Sequence, residues 1–280
     1  MAKVYEALRR AEEERKRKLA GDDATVTAVE WDSTPQTLPK SKSAPFWKRW
    51  RGSMSEAPID TATDMNKRRI TILQPDSFIA EQFRTLRGRI DSISAQRPIR
   101  TVAVTSANAG DGKSTAAINL SLVTAMSVGR ETLLVDCDFR RPKIHKTLGL
   151  DPKAGLAEVL TDRASLDDAL VKVEGLNLQV LCIRSKPSNP SELLASAQMR
   201  ALIEEISRRY DRAILDTPEA LGMPDAKTVS ELCDGLVLVV RADYTPREEV
   251  EAVLDVLDRR RVLGLLLNGA DQSRERYGYY

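Results

Sequence analysis

The residues between 107 and 115 have the types and the order of a site that binds an anion. They read Ala-Asn-Ala-Gly-Asp-Gly-Lys-Ser-Thr, after a strand-like run and before a helical one. The glycines leave room for backbone N–H groups to approach phosphate oxygens, and the helix start adds its positive dipole end. Lys113 can reach the β- and γ-phosphates of a nucleotide, and the Ser114 hydroxyl can ligate Mg²⁺. A glycine-rich turn without a ligand is the plainer alternative, but the Gly-Lys-Ser-Thr ending favours a phosphate-binding loop.

Three aspartates follow strand-like runs and would complete such a site. Asp136 ends the run 132–136, Asp138 comes two residues later, and Asp216 ends the run 212–216. The carboxyl ends of parallel strands meet at one edge of a sheet, where ligands bind. An aspartate in this position can hold Mg²⁺ through water, although a helix cap is the ordinary alternative for any one of them. The three together, in this order, predict a metal–phosphate site.

These residues supply the groups that phosphoryl transfer requires, namely a metal site and a group that orients the incoming hydroxyl or water. If Ser114 and two aspartates serve the metal, the third aspartate is free to act as a base, and the pattern leaves open which one. Arg140 and Arg141 could neutralise transferred charge, or could form local salt bridges in a surface loop. His145, the only histidine, is interpreted as a loop or capping residue, because this chemistry does not require an imidazole.

Apolar runs and helical periodicity alternate from about residue 68 onward. Runs of Val, Ile and Leu are typical of a parallel sheet covered on both faces. Their alternation with helices predicts a doubly wound α/β fold of the P-loop NTPase type, with a mostly parallel sheet. In the first helix Phe83, Leu86, Ile90 and Ile93 form the apolar face. The predicted strands are 100–105, 132–136, 178–183, 212–216, 235–241 and 262–268, and the predicted helices are 80–94, 113–127, 155–161, 190–209, 225–233 and 247–260.

The chain divides into four predicted parts. Residues 1–20 form a charged helix, 21–67 a polar and flexible linker, 68–270 the α/β domain, and 271–280 a tail. The linker lacks the apolar periodicity of a folded element. Its segment 46–51, Phe-Trp-Lys-Arg-Trp-Arg, suits a bilayer interface or an acidic partner, or else covers the surface of the folded domain.

Composition excludes several classes of protein. A net charge of +2 over 280 residues does not indicate nucleic-acid binding, so no nucleic acid is expected as a partner. Cys137, Cys182 and Cys233 are too scattered for a disulfide framework or a zinc site, and they are interpreted as buried residues in a reducing compartment. No apolar run reaches the roughly 18 residues of a membrane span, and the N-terminus lacks the apolar core of a secretory signal. These features predict a cytoplasmic protein.

Several blocks beyond the phosphate-binding loop resemble one family, the bacterial tyrosine kinases that accompany polysaccharide synthesis and export. This family is a branch of the deviant-Walker ATPases that include MinD and ParA. The resemblance covers about residues 75–280. The segment 136–142 looks like the family's second Walker element, and 189–194, 216–218 and 264–269 are similar to its later blocks.

Two further features carry the resemblance outside the nucleotide site. Glu81, Arg84 and Arg87 have the Glu-x-x-Arg-x-x-Arg spacing of the helix that joins subunits into a ring in this family. The tail resembles the family's C-terminal tyrosine cluster, which a neighbouring subunit phosphorylates. Its implied phosphoacceptors are Tyr277, Tyr279 and Tyr280.

The resemblance implies ATP and Mg²⁺ as cofactors and a role for each matching position. Asp136 would be the base that takes the tyrosine proton, and Lys113 and Asp138 would complete the catalytic set. Ser114, Asp138 and Asp216 would hold Mg²⁺, directly or through water. The implied nucleotide-binding residues are Ala109, Gly110, Asp111, Gly112, Lys113, Ser114, Thr115 and, at the adenine, Asn268.

The implied activity is ATP-dependent autophosphorylation between subunits of a ring-like homo-oligomer, which regulates exopolysaccharide or capsule synthesis and export. A membrane-anchored polysaccharide co-polymerase would be the activating partner. It would recruit the protein to the inner face of the plasma membrane, and the segment 46–51 could add a peripheral membrane contact.

An ATPase of the MinD or ParA type, acting as a nucleotide-dependent regulator without kinase activity, is the main alternative. Such ATPases carry a second lysine five residues before the loop lysine, where this chain has Asn108. A MinD-type protein also ends in an amphipathic membrane helix, whereas this chain has the tyrosine-rich tail. A third class, a scaffold that binds nucleotide without transferring phosphate, is disfavoured because Lys113 and the three aspartates are all present.

Overall fold

A seven-stranded sheet forms the centre of the α/β domain in a computed structural model that describes residues 74–270. The predicted parts 1–20, 21–67 and 271–280 lie outside the described residues, as do residues 68–73. The strands are β1 (Thr101–Ser106), β2 (Thr132–Asp136), β3 (Leu170–Lys172), β4 (Leu178–Leu181), β5 (Arg212–Asp216), β6 (Gly235–Arg241) and β7 (Val262–Asn268).

The sheet has the strand order β3-β4-β2-β5-β1-β6-β7. Every neighbouring pair is parallel except β3 and β4, which are antiparallel. The predicted mostly parallel sheet is therefore confirmed. The short edge strand β3 was not predicted, because three residues are too few to show a periodicity.

Nine α-helices connect these strands within residues 74–270, and none of them is long and apolar enough to cross a membrane. They are α1 (Phe78–Ser94), α2 (Lys113–Ala125), α3 (Ile144–Leu148), α4 (Leu156–Leu160), α5 (Leu166–Ala169), α6 (Pro190–Leu194), α7 (Ala197–Arg209), α8 (Pro224–Leu232) and α9 (Arg247–Val256).

Two predicted helices differ from the structure. The predicted helix 190–209 is two helices, because Ser196 interrupts it and caps α7 by accepting a hydrogen bond from the Met199 N–H at 3.1 Å. The predicted helix 247–260 ends at Val256, and a 3₁₀ turn, Arg259–Arg261, leads into β7. Most other predicted boundaries lie within two residues of those observed.

Side chains alternate across the sheet into two apolar layers. In β1, Ala103 joins the layer that α7, α8 and α9 cover, whereas Val102 and Val104 join the layer beneath α1 and α2. The three cysteines are free and buried, as predicted. A sheet covered on both faces explains the near-continuous aliphatic runs in its central strands.

Helix α1 begins where Ser77 accepts a hydrogen bond from the Ala80 N–H at 3.2 Å, a normal N-cap. Phe83 and Ile90 are buried, as predicted. Leu86 and Ile93 are half-buried and pack against the same layer. The apolar face of α1 therefore covers α2 and the sheet.

Candidate nucleotide-binding and phosphoryl-transfer site

The phosphate-binding loop connects the end of β1 to the start of α2, as its sequence predicts. Gly110 and Gly112 have φ angles of 95° and 100°, in the left-handed region that favours glycine. A Cβ at Gly112 would also collide with the side-chain amide of Asn268. The loop therefore depends on glycine for its backbone conformation at both positions and for space at the second.

Lys113 is the first residue of α2, and only 8% of it is exposed. Its Nζ lies 3.2 Å from Oδ2 of Asp138. Burial works to lower the pKa of Lys113, but the charges of Asp216 and Asp138 together outweigh that effect and raise it. The side chain is thus a buried ammonium held between two carboxylates, at the place where a phosphate would bind.

Asp216 ends β5 beside Asp136, its register partner on β2. Only 1% of it is exposed, and neither carboxylate oxygen has a hydrogen-bond partner of normal geometry in the described protein. Burial raises the pKa of Asp216 to about 6, against the opposing effects of the Lys113 charge and the Ser114 hydroxyl. Buried oxygens without partners are unusual, and they fit a cation or its bound water.

Asp136 has a different environment although it is also fully buried. Its Oδ1 accepts the Asp138 N–H at 3.1 Å, and its Oδ2 accepts the N–H groups of Lys143 and Ile144 at 3.3 and 3.2 Å. Burial, and then the charge of Asp216, raise its pKa well above the ordinary value. Asp136 therefore holds the backbone of the loop after β2, and it binds a proton more readily than a solvated aspartate does.

Asp138 links this loop to α2. Its Oδ1 accepts the Arg141 N–H at 2.9 Å, while its Oδ2 pairs with Lys113. Three aspartates and one lysine thus converge at the carboxyl edge of β2 and β5, as the sequence predicts.

The oxygen atoms at this site suit Mg²⁺, which proteins usually hold together with water and phosphate. Between residues 74 and 270 no group of three or more His, Cys, Asp or Glu side chains forms a metal site. Mg²⁺ in phosphate sites is held by one or two carboxylates, a hydroxyl, water and the phosphates themselves. Ser114, Asp216 and Asp138 are the residues that could supply the protein's share.

The remaining nucleotide-binding candidates surround the loop. Asn268, at the end of β7, donates from Nδ2 to the backbone oxygen of Asp111 at 2.8 Å. Ala109 and Thr115 are half-buried on either side of the loop's second half. The structure therefore brings the end of the last strand, with Asn268, against the phosphate-binding loop.

Arg140, Arg141 and His145 lie in the segment that follows β2. Arg140 pairs through Nε with Asp225 at 3.3 Å, an ion pair between two distant segments. Asp225, which is 2% exposed, was missed by sequence reasoning, and the only signal was an aspartate in the first turn of α8.

Arg141 is exposed. His145 lies in α3 rather than in a loop, and burial, then Lys146 and Arg184, lower its pKa.

The predicted interface residues of α1 bind within the same chain. Arg84 donates to Glu81 Oε2 at 2.9 Å and to the Pro75 carbonyl at 2.7 Å. Arg87 donates to the Val123 carbonyl at 2.6 Å and to Ser127 Oγ at 2.7 Å, near the end of α2. Glu81 is exposed, Arg84 and Arg87 are half-buried, and Arg87 stabilises the packing of α1 on α2. The predicted phosphoacceptors Tyr277, Tyr279 and Tyr280 lie outside the described residues.

Comparisons with known proteins agree with this geometry. Residues 99–261 match the family model described as an AAA domain. The chain is 36% identical over 219 residues to the tyrosine-protein kinase YwqD of Bacillus subtilis (strain 168), covering 77% of this chain and 92% of that protein. It is 32% identical over 244 residues to the succinoglycan biosynthesis transport protein ExoP of Rhizobium meliloti (strain 1021), covering 80% of this chain and 31% of that protein.

A solved structure gives the same result for the fold. The kinase domain of Escherichia coli tyrosine kinase ETK superposes with a TM-score of 0.70 at 25% identity, covering 87% of this chain and 92% of that domain. The central sheet, the phosphate-binding loop and the acidic strand ends are thus found in a chain related to tyrosine kinases along most of its length. This chain belongs to the bacterial tyrosine-protein kinases.

Proposed function

We propose that this protein uses ATP and Mg²⁺ to phosphorylate the C-terminal tyrosines of a neighbouring copy, and so regulates capsule or exopolysaccharide synthesis and export. One observation carries the proposal: Lys113 is paired with Asp138 beside Asp216, whose two buried oxygens have no hydrogen-bond partner of normal geometry among the described residues. In a family of tyrosine kinases, this is the charge arrangement that a triphosphate and a divalent cation require.

Each residue has a defined part in the reaction. Lys113 would bind the β- and γ-phosphates, and Ser114, Asp138 and Asp216 would hold Mg²⁺, directly or through water, which would neutralise phosphate charge. The tyrosine oxygen bonds to the γ-phosphorus while the bond to the bridging oxygen breaks, so that ADP leaves. The tyrosine proton passes to Asp136, whose raised pKa favours accepting it.

The proposed phosphate acceptors are the tyrosines of the C-terminal tail. Tyr277, Tyr279 and Tyr280 lie within four residues of one another, next to Arg274 and Arg276. Three tyrosines so closely spaced in a polar segment are better suited to modification than to packing. Each phosphate adds about −1.5 to −2 charges, so phosphorylation of several tails would separate neighbouring subunits by repulsion.

The proposed partners are a second copy of the chain and a membrane-anchored polysaccharide co-polymerase. The exposed pair formed by Glu81 and Arg84 supports the first, because α1 presents it away from the core. The similarity to ExoP, whose name places it in succinoglycan transport, supports the second. Such a partner would bring the protein to the inner face of the plasma membrane, where the segment 46–51 could add a contact with the bilayer.

The proposal is tested by incubation with ATP and Mg²⁺, with and without the cytoplasmic segment of a membrane partner, followed by phosphotyrosine mass spectrometry. We expect phosphate on the tail of the parent protein. Lys113→Met should abolish it, whereas Lys172→Met, which removes an exposed lysine on β3, should leave it unchanged.

Two other results would support the alternatives. ATP hydrolysis without phosphotyrosine, even with the partner present, would favour the ATPase interpretation. Nucleotide binding without either hydrolysis or transfer would favour a scaffold.

A further inference from the structure

Asp111 connects the phosphate-binding loop to two distant parts of the fold. It is fully buried, and its Oδ2 accepts the Asn108 N–H at 2.9 Å within the loop. Its Oδ1 accepts the hydroxyl of Thr245 at 2.9 Å, and its backbone oxygen accepts the side-chain amide of Asn268. Each of its carboxylate oxygens therefore has a partner, and one of these partners lies 134 positions away in the sequence.

Thr245 is itself held in a fixed orientation. It lies in the turn between β6 and α9, where its Oγ accepts the Arg241 N–H at 3.1 Å and its own N–H donates to the Arg241 carbonyl at 3.0 Å. Asp243 in the same turn has a φ of 55°. Because Oγ already accepts from Arg241, its proton is directed to Asp111.

The same segment contacts the loop at a second point. The side-chain amide of Asn108 donates to Oε2 of Glu249, in the first turn of α9. Asn108 occupies the position where MinD- and ParA-type ATPases carry their second lysine. In this chain that position is used to fasten the loop to α9.

We propose that Thr245 is a positioning residue for the nucleotide. It holds Asp111, and through Asp111 the backbone of the phosphate-binding loop, in the shape that receives phosphate, with Glu249 as a second anchor. A preformed loop pays less ordering entropy when a ligand binds. This inference rests on the nucleotide site of the proposed function, but it requires only nucleotide binding and not transfer to tyrosine.

Removal of the Thr245 hydroxyl leaves a buried oxygen of Asp111 without a donor, which is costly. Thr245→Val should therefore weaken ADP·Mg²⁺ binding by about tenfold, measured by titration calorimetry. Thr245→Ser keeps the hydroxyl and should bind within about twofold of the parent. Thr245→Ala provides a second test if the valine variant does not fold, and thermal denaturation reports folding.

A double-mutant cycle separates positioning from general damage. If Thr245 acts through Asp111, Thr245→Val should cost no further affinity in an Asp111→Ala background. In ATP turnover, KM should rise more than kcat falls. The inference is overturned if Thr245→Val binds ADP as the parent does, or if it loses the same affinity in both backgrounds. A parent that binds ADP but makes no phosphotyrosine would contradict the proposed kinase activity and leave this test intact.

Discussion

At the scale of single residues, three aspartates close together in the chain's fold have different environments. Asp136 receives three backbone N–H groups, Asp138 pairs with Lys113, and Asp216 has no hydrogen-bond partner of normal geometry in the described protein. The sequence predicts that the three converge, because each one follows a strand. It could not predict which would be satisfied by backbone groups, since that depends on how the loop after β2 turns.

Because Asp216 is buried, its ionisation should make the stability of the fold depend on pH. Burial raises its pKa to about 6 in the folded state from an ordinary 3.8. The folded protein therefore binds this proton more tightly than the unfolded chain, so ionisation destabilises the fold as pH rises through about 6, by roughly 3 kcal/mol at most.

Asp216→Asn removes that ionisation. We expect the variant to melt at a higher temperature than the parent at pH 7.5, and the difference to shrink as pH falls from about 6 towards about 4. Thermal denaturation across this range checks it. A difference in melting temperature that stays constant with pH would show that Asp216 is not the responsible group.

The residues that brace the phosphate-binding loop were beyond sequence reasoning. Gly110, Gly112 and Lys113 belong to a contiguous pattern with a known mechanism, so their positions could be predicted. Thr245 and Glu249 reach the same loop from a turn and a helix more than 130 positions away. Nothing in their local sequence distinguishes them from ordinary turn and helix residues.

At the scale of elements, the aliphatic runs predicted six strands of the sheet closely. In the central strands β1, β2 and β5 the runs are continuous because both faces are covered. The break between α6 and α7 was missed, since apolar residues continue at helical spacing across Ser196. The capping side chain ends the helical hydrogen bonding there, and a local periodicity does not report it.

The packing of α1 on α2 gives a prediction that separates fold stability from assembly. Arg87 donates two hydrogen bonds to α2 and its following turn, so Arg87→Ala should destabilise the single chain by about 1–3 kcal/mol. Arg84 donates to Glu81 and to the Pro75 carbonyl, within α1 and just before it, so Arg84→Ala should cost about 1 kcal/mol. Urea denaturation measures both.

Arg84→Ala is therefore the better variant for testing the proposed ring, because the hydrogen bonds that it removes lie within α1 and at Pro75 just before it. It should keep nucleotide affinity and lower the molar mass seen by light scattering, whereas a mass equal to that of the parent would remove α1 from the interface. Arg87→Ala is less suitable, because a loss of assembly could follow from a loosened α1.

At the scale of the whole molecule, the described domain contains the candidate phosphoryl-transfer site but not the tyrosines proposed to receive the phosphate. The site brings together Lys113 and three aspartates, while the proposed acceptor lies in a tail outside the described residues. The chain belongs to a family of tyrosine kinases, and we propose that it transfers phosphate from one copy to another. A site on one copy and an acceptor on another can be separated by mutation.

The most direct measurement mixes two variants that are each unable to phosphorylate themselves. One carries Lys113→Met and keeps its tail, and the other carries Tyr277→Phe, Tyr279→Phe and Tyr280→Phe and keeps its site. With ATP, Mg²⁺ and the membrane partner's segment, we expect phosphotyrosine on the tail of the Lys113→Met chain only in the mixture. If the parent is phosphorylated but the mixture is not, transfer occurs within one chain, and the proposed reaction between copies is contradicted.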